Sequence, residues 1–132
     1  RQYDEIMKIE FISGAGGSGG GSALPYTIFT CTLTYSGGGQ PPNHSVFENT
    51  LGITMSIVRN SAGIYTCTLS QALDLSKATF YVGNMWSSNT IIYCNLKVLN
   101  TTSFQLNVQE NNTPIKQDGL FSRTLLEIKQ FS

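Results

Sequence analysis

Between residues 26 and 131 the chain breaks into short alternating apolar and polar runs, and no 10–15-residue stretch places its apolar side chains at helical spacing. That pattern excludes most folds at once. Parallel sheets need helical crossovers, and helical bundles need long 3.6-residue periods. The runs are "YTIFTCTLTY" (26–35), "HSVFEN" (44–49), "ITMSIV" (53–58), "IYTCTL" (64–69), "TFYVG" (79–83), "TIIYCNLKV" (90–98), "SFQLNVQ" (103–109) and "TLLEIKQF" (124–131). β-branched and aromatic residues dominate them, which suits a pleated, half-buried surface. Turn formers separate them: "SGGGQPP" (36–42) has three glycines and two prolines that cannot continue a ladder. "RNSAG" (59–63) reads as a turn, "SQALDLSK" (70–77) as a single helical turn, and "NMWSSN" (84–89) as a loop. The expectation is an all-β, antiparallel β-sandwich, jelly-roll-like, of about eight strands.

Ahead of this body stand a second kind of segment and a tether. "MKIEFI" (7–12) alternates Met7, Ile9 and Phe11 against Lys8 and Glu10, a short strand signal. Six residues cannot bury a face alone, so this strand needs a partner in the body or in another chain. The Gly/Ser-rich tract at 14–22 follows, and nine such residues span on the order of 17 Å as flexible coil. The organisation is thus an anchor (1–13), a linker (14–22) and a β knob (23–132). The tract reads as a natural tether, since Ala15, Ala23 and Leu24 make it irregular; its alternative is an engineered linker. The chain starts at Arg1 and is read as a fragment or processed product.

At 132 residues there is room for one domain of ordinary size. Only 12% of residues are charged, eight basic against eight acidic, while Ser, Thr, Asn and Gln supply the polarity. Typical domains carry about 25% charge. Such a surface has no electrostatic footprint for nucleic acid or an anionic membrane, and low net charge favours self-association. No apolar run is long enough for a membrane span.

Chemistry-bearing residues are sparse. Cys31, Cys67 and Cys94 sit in strands beside large apolar residues, so they read as buried free thiols; one disulfide plus one free thiol is the alternative. His44 is the single histidine and reads as a strand-entry residue rather than a catalytic base. The body's acidic residues Glu48, Asp74, Glu110, Asp118 and Glu127 are scattered, and no metal, phosphate-loop or nucleophile-elbow signature occurs. No enzyme, cofactor or metal is expected. Recognition is the better search: Trp86 lies among Asn84, Ser87, Ser88 and Asn89, an aromatic flanked by amides and hydroxyls that suits sugar. The competing role for Trp86 is to plug the sandwich end or a subunit interface. Asn43-His44-Ser45 and Asn100-Thr101-Thr102 match the N-glycosylation acceptor pattern, which matters only in a eukaryotic secretory pathway.

The stretch from Thr32 to Leu73 carries a resemblance. A Thr-rich first strand, a Ser/Gly/Pro turn, an "ENTLG" element (Glu48 to Gly52), a "GIYTCTL" strand (63–69), Lys77 before an aromatic strand and a final "LLEIKQF" (125–131) follow in order. In this order the chain resembles a group of small β-domain proteins encoded by Bacteroidetes, especially flavobacteria, and by their phages. Cys67 stands where small residues are usual in that group, and Leu125 where proline is usual. The resemblance transfers no catalytic or binding residue; it implies a phage or prophage virion component, exposed and trimeric.

Together these features lead to a non-enzymatic virion structural protein of spike, head-fibre or decoration type on the particle surface. The anchor segment (Met7, Ile9, Phe11) would dock to other capsid or tail proteins by strand addition, and the knob would form a homotrimer. Trp86, Asn84, Ser87 and Asn89 are the candidate contacts to host surface glycans. The alternative is a bacterial secreted or cell-surface carbohydrate-binding sandwich.

Overall fold

The computed structural model describes residues 24–83, 85–87, 90–110 and 121–132. The anchor strand expected at Met7, Ile9 and Phe11 and the glycine tract lie outside the described residues. Among those described there are nine strands and no helix: β1 (Tyr26–Thr34), β2 (Asn43–Asn49), β3 (Met55–Ser61), β4 (Ile64–Leu69), β5 (Ala78–Val82), β6 (Met85–Ser87), β7 (Thr90–Asn100), β8 (Ser103–Glu110) and β9 (Ser122–Phe131). They form two antiparallel sheets, ordered β2-β1-β9-β5 and β3-β4-β8-β7-β6. Within the second, β4-β8-β7-β6 has the spatial order of a Greek key, its long connection routed through β5 in the other sheet.

The alternation in the sequence becomes the inside and outside of this sandwich. Phe29, Cys31 and Leu33 of β1 and Leu126 and Ile128 of β9 face Tyr65, Cys67 and Leu69 of β4 and Phe104, Leu106 and Val108 of β8 in one buried cluster. Phe80 on β5 meets Phe104 on β8 edge-to-face, with ring centroids 5.5 Å apart, which ties the two sheets together. Threonines and amides take the outward positions of the central strands, so one sequence period separates core from surface.

All three cysteines are free and buried, as their strand positions predict. Burial alone pushes the thiols of Cys31 and Cys94 up to about 12. Cys67 is pushed higher still, by burial first and then by its proximity to Cys31 and Cys94. These are packing groups, not nucleophiles.

Three local expectations need correction. The loop at 84–89 contains strand β6, because Met85, Trp86 and Ser87 pair with Ile92, Ile91 and Thr90 of the long strand β7. The turn at 59–63 is shorter than expected: Arg59, Asn60 and Ser61 belong to β3, and Ser61 pairs with Ile64 across a tight turn in which Gly63 has φ +69°. The segment 70–77 forms no helical turn. Asp74 accepts hydrogen bonds from the Ser76 N–H (3.1 Å) and hydroxyl (2.6 Å), and the Lys77 N–H closes on Asp74 O at 2.9 Å. A side chain that satisfies nearby backbone competes with the helix, and here it wins. The Ser76 hydroxyl, then its N–H, hold the Asp74 carboxyl below its ordinary range.

Candidate functional site

The register places the described connections at one of two ends. Tyr26 pairs with Phe131, and at the other end of the same ladder Thr34 pairs with Ser122. The chain therefore enters at Leu24 beside its own last strand, where the Ser132 N–H donates to Pro25 O (3.0 Å). Connections 50–54, 70–77 and 101–102 share that tether end. Connections 35–42 and 62–63 lie at the opposite, loop end, together with the starts of β7 and β9 and the end of β8.

The tether end is closed by hydrogen bonds. Asn49 Oδ1 accepts from the N–H groups of Gly52 (2.9 Å) and Ile53 (3.2 Å), and its Nδ2 donates to Ile53 O (2.8 Å). Thr50 Oγ1 accepts from the Ile28 N–H at 2.9 Å, and the Leu51 N–H donates to Ile28 O at 3.0 Å. Gly52 supplies the positive φ of +74° that the corner needs. The "ENTLG" element is thus a corner that carries the chain from one sheet to the other, a structural rather than a binding motif. Asn100 acts similarly in its turn, its Oδ1 accepting from the N–H (2.9 Å) and hydroxyl (3.0 Å) of Thr102.

The loop end is built differently. Tyr35 donates its N–H to Phe121 O (3.2 Å), and its ring is 45% exposed. The adjoining turn runs through Gly37 (φ +138°) and Gly39 (φ +74°), and a Cβ added at Gly38 would sit 3.8 Å from the Tyr35 hydroxyl. The Tyr35 phenol thus lies close to the turn at Gly38. Opposite lies a β-bulge: Leu33 pairs with Thr124 and Thr34 with Ser122, leaving Arg123 out of register. Arg123 is exposed and has φ +56°, the only positive φ outside glycine among the described residues. Thr124 beside it is buried, and its hydroxyl has no hydrogen-bond partner. Phe121 closes the core below, its ring 5.5 Å from that of Tyr65.

Two of the four sequence-predicted contacts fall on this same end. Trp86 and Ser87 are in β6, which pairs with the start of β7; Trp86 stands opposite Ile91 in register. Asn84 and Asn89 lie outside the described residues. The topology thus brings β6 to the end that also holds Tyr35 and Arg123, two residues that sequence reasoning did not single out. A Tyr at a strand end and an Arg before an apolar strand carry no local signal; the bulge appears only when β1 and β9 pair. His44 pairs with Leu33 in the ladder, at the entry to β2. Among the described residues there is no group of three metal-ligating side chains and no helix long and apolar enough to cross a membrane.

The fold is that of an antiparallel β-sandwich with a closed end and an open one. No family model, curated protein or solved structure matches the chain.

Proposed function

We propose that the chain is a non-enzymatic virion protein of phage, of spike, head-fibre or decoration type, in which the sandwich is a displayed knob. The supporting observation is the polarity of the sandwich: the chain enters at one end, and the 35–42 turn, β6 and the bulge at Arg123 lie at the other. A domain tethered to a particle through its N-terminal side would present that other end outward. The anchor at 1–13 docks to capsid or tail, and the loop end contacts the host surface. The order of motifs shared with the flavobacterial and phage β-domain group supplies the virion context. Self-association as a trimer uses the outer face of β5 and β9, where Tyr81, Leu125 and Phe131 are exposed on neighbouring strands.

Two measurements on the full chain test this. Mass spectrometry of purified particles should find the protein as a stoichiometric component, and light scattering should give three chains per particle in solution. A monomer absent from particles sinks the reading and moves the carbohydrate-binding surface module ahead. That second reading draws on the outer face of β4, β8 and β7, where Thr66, Gln105, Asn107 and Asn95 present hydroxyls and amides beside the single cation Lys97.

A further inference from the structure

Arg123 holds a conformation that glycine adopts freely and that any residue with a Cβ adopts only under strain. It is the extra residue of a β-bulge, a device that takes a side chain out of the pleat's alternation and re-aims it. The charge so placed is exposed and has no ion-pair partner among the described residues, whereas Lys129, lower on the same strand, lies 3.7 Å from Glu127. No carboxylate whose side chain is described lies at the loop end: Glu48 and Glu127 sit in mid-sheet and Asp74 at the tether end. The backbone pairing sets Arg123 near Tyr35, since Thr34 pairs with Ser122 and the Tyr35 N–H donates to Phe121 O; Ser36 and Gln40 follow in the adjoining turn, and Asn43 opens the strand beyond.

We infer that Arg123 and Tyr35 form a binding site for a carboxylate-bearing saccharide, a uronic or sialic acid unit of a surface glycan. The guanidinium fork matches a carboxylate with two parallel N–H···O bonds. The exposed Tyr35 ring offers a flat apolar face to the C–H side of a sugar and a hydroxyl at its edge. The neutral amides and hydroxyls suit the remaining hydroxyl groups. The inference rests on the display reading, since it names what the outward end recognises.

The test is binding of the full chain to matched pairs of probes: oligogalacturonate against its methyl ester, and sialyllactose against lactose. The first pair differs only in whether the carboxyl is charged, and the second in the presence of the acidic sugar. At least one acidic probe should bind tenfold or more tightly than its neutral partner, and which one does distinguishes uronate from sialate. Arg123→Gly should abolish that preference while raising Tm, because it relieves the strain. Arg123→Lys should keep part of the preference, and Tyr35→Ala should weaken both members of the pair. Equal binding within both pairs, or no binding to any probe, overturns the inference. So does an Arg123→Gly protein that keeps the preference, or that melts earlier. Absence of the chain from purified particles would instead count against virion display and leave the probe result standing.

Discussion

The two ends of the sandwich use the same residue types to opposite effect. At the tether end, small polar side chains turn inward on the backbone: Asn49, Thr50, Asp74 and Asn100 each satisfy main-chain groups within their own corner or in the neighbouring strand. At the loop end, a buried threonine hydroxyl is unpartnered, an arginine occupies a glycine conformation, and an aromatic ring stands half out of the surface. Both ends close their turns with hydrogen bonds, since Ser36 donates to Pro41 O and the Gln40 N–H to Gly37 O, but only the loop end leaves a buried hydroxyl without a partner among the described residues. Strain and unsatisfied groups persist where the surrounding structure over-determines them, and such places cluster at recognition sites.

The difference can be broken most severely at Asn49. Asn49→Ala removes three hydrogen bonds from the sheet-to-sheet corner and should cost about 2–3 kcal/mol at roughly 1 kcal/mol each. Urea unfolding of the variant reads this directly; a loss below about 0.5 kcal/mol would mean that the tether end is not held by its side chains. At the loop end substitutions should run the other way. Thr124→Val keeps the shape and removes a buried hydroxyl without a partner, so stability should rise by about 1 kcal/mol. A decrease would show that the hydroxyl is satisfied in solution.

A smaller gain is expected from Arg123→Gly. Leaving the left-handed region relieves about 1–2 kcal/mol, and the entropy of the added glycine takes back about 0.5–1, which leaves a net gain of about 0.5 kcal/mol. Thermal melts would resolve it as an upward shift, and a downward one would mean that Arg123 makes contacts that outweigh its backbone.

The thiols sharpen the comparison at no cost to the fold near neutral pH, where they are protonated in both folded and unfolded states. Their pKa values are raised on folding, so the native state holds these protons more tightly. Their contribution is complete below about 9, the ordinary value, and falls away as pH climbs toward about 12. Alkaline titration of the unfolding midpoint should show that decline, and a Cys94→Ala variant should show less of it. In the native protein at pH 8, Cys94, which keeps 4% of its surface exposed, should react with a thiol reagent before the fully buried Cys31. The reverse order would mean that β1 opens more readily than β7.

Much of this architecture was legible along the chain. Eight of the nine strands were legible as strands, several through a period-two signal, and Phe29, Cys31, Leu33, Tyr65, Cys67 and Leu69 were readable as inward-facing because alternation is a local property. β6 was not legible: three residues, Met85 to Ser87, within a run of small polar ones look like a loop until β7 offers them a ladder. Hydroxyl and amide residues at 70–77 looked weakly helical because nothing in the local spacing shows that Asp74 will turn onto Ser76.

Sequence alone determined that this chain is β throughout its body, that its core is aliphatic, aromatic and thiol, and that its surface is polar but nearly uncharged, since each follows from residue type and period. Tertiary structure decided which strands are neighbours, and with that the strand order, the sorting of connections into two ends, and the bulge that sets Arg123 apart beside Tyr35. Those depend on pairings between residues such as Leu33 and Thr124, far apart in sequence, and a side-chain period records which way a residue faces but not which strand lies beside it.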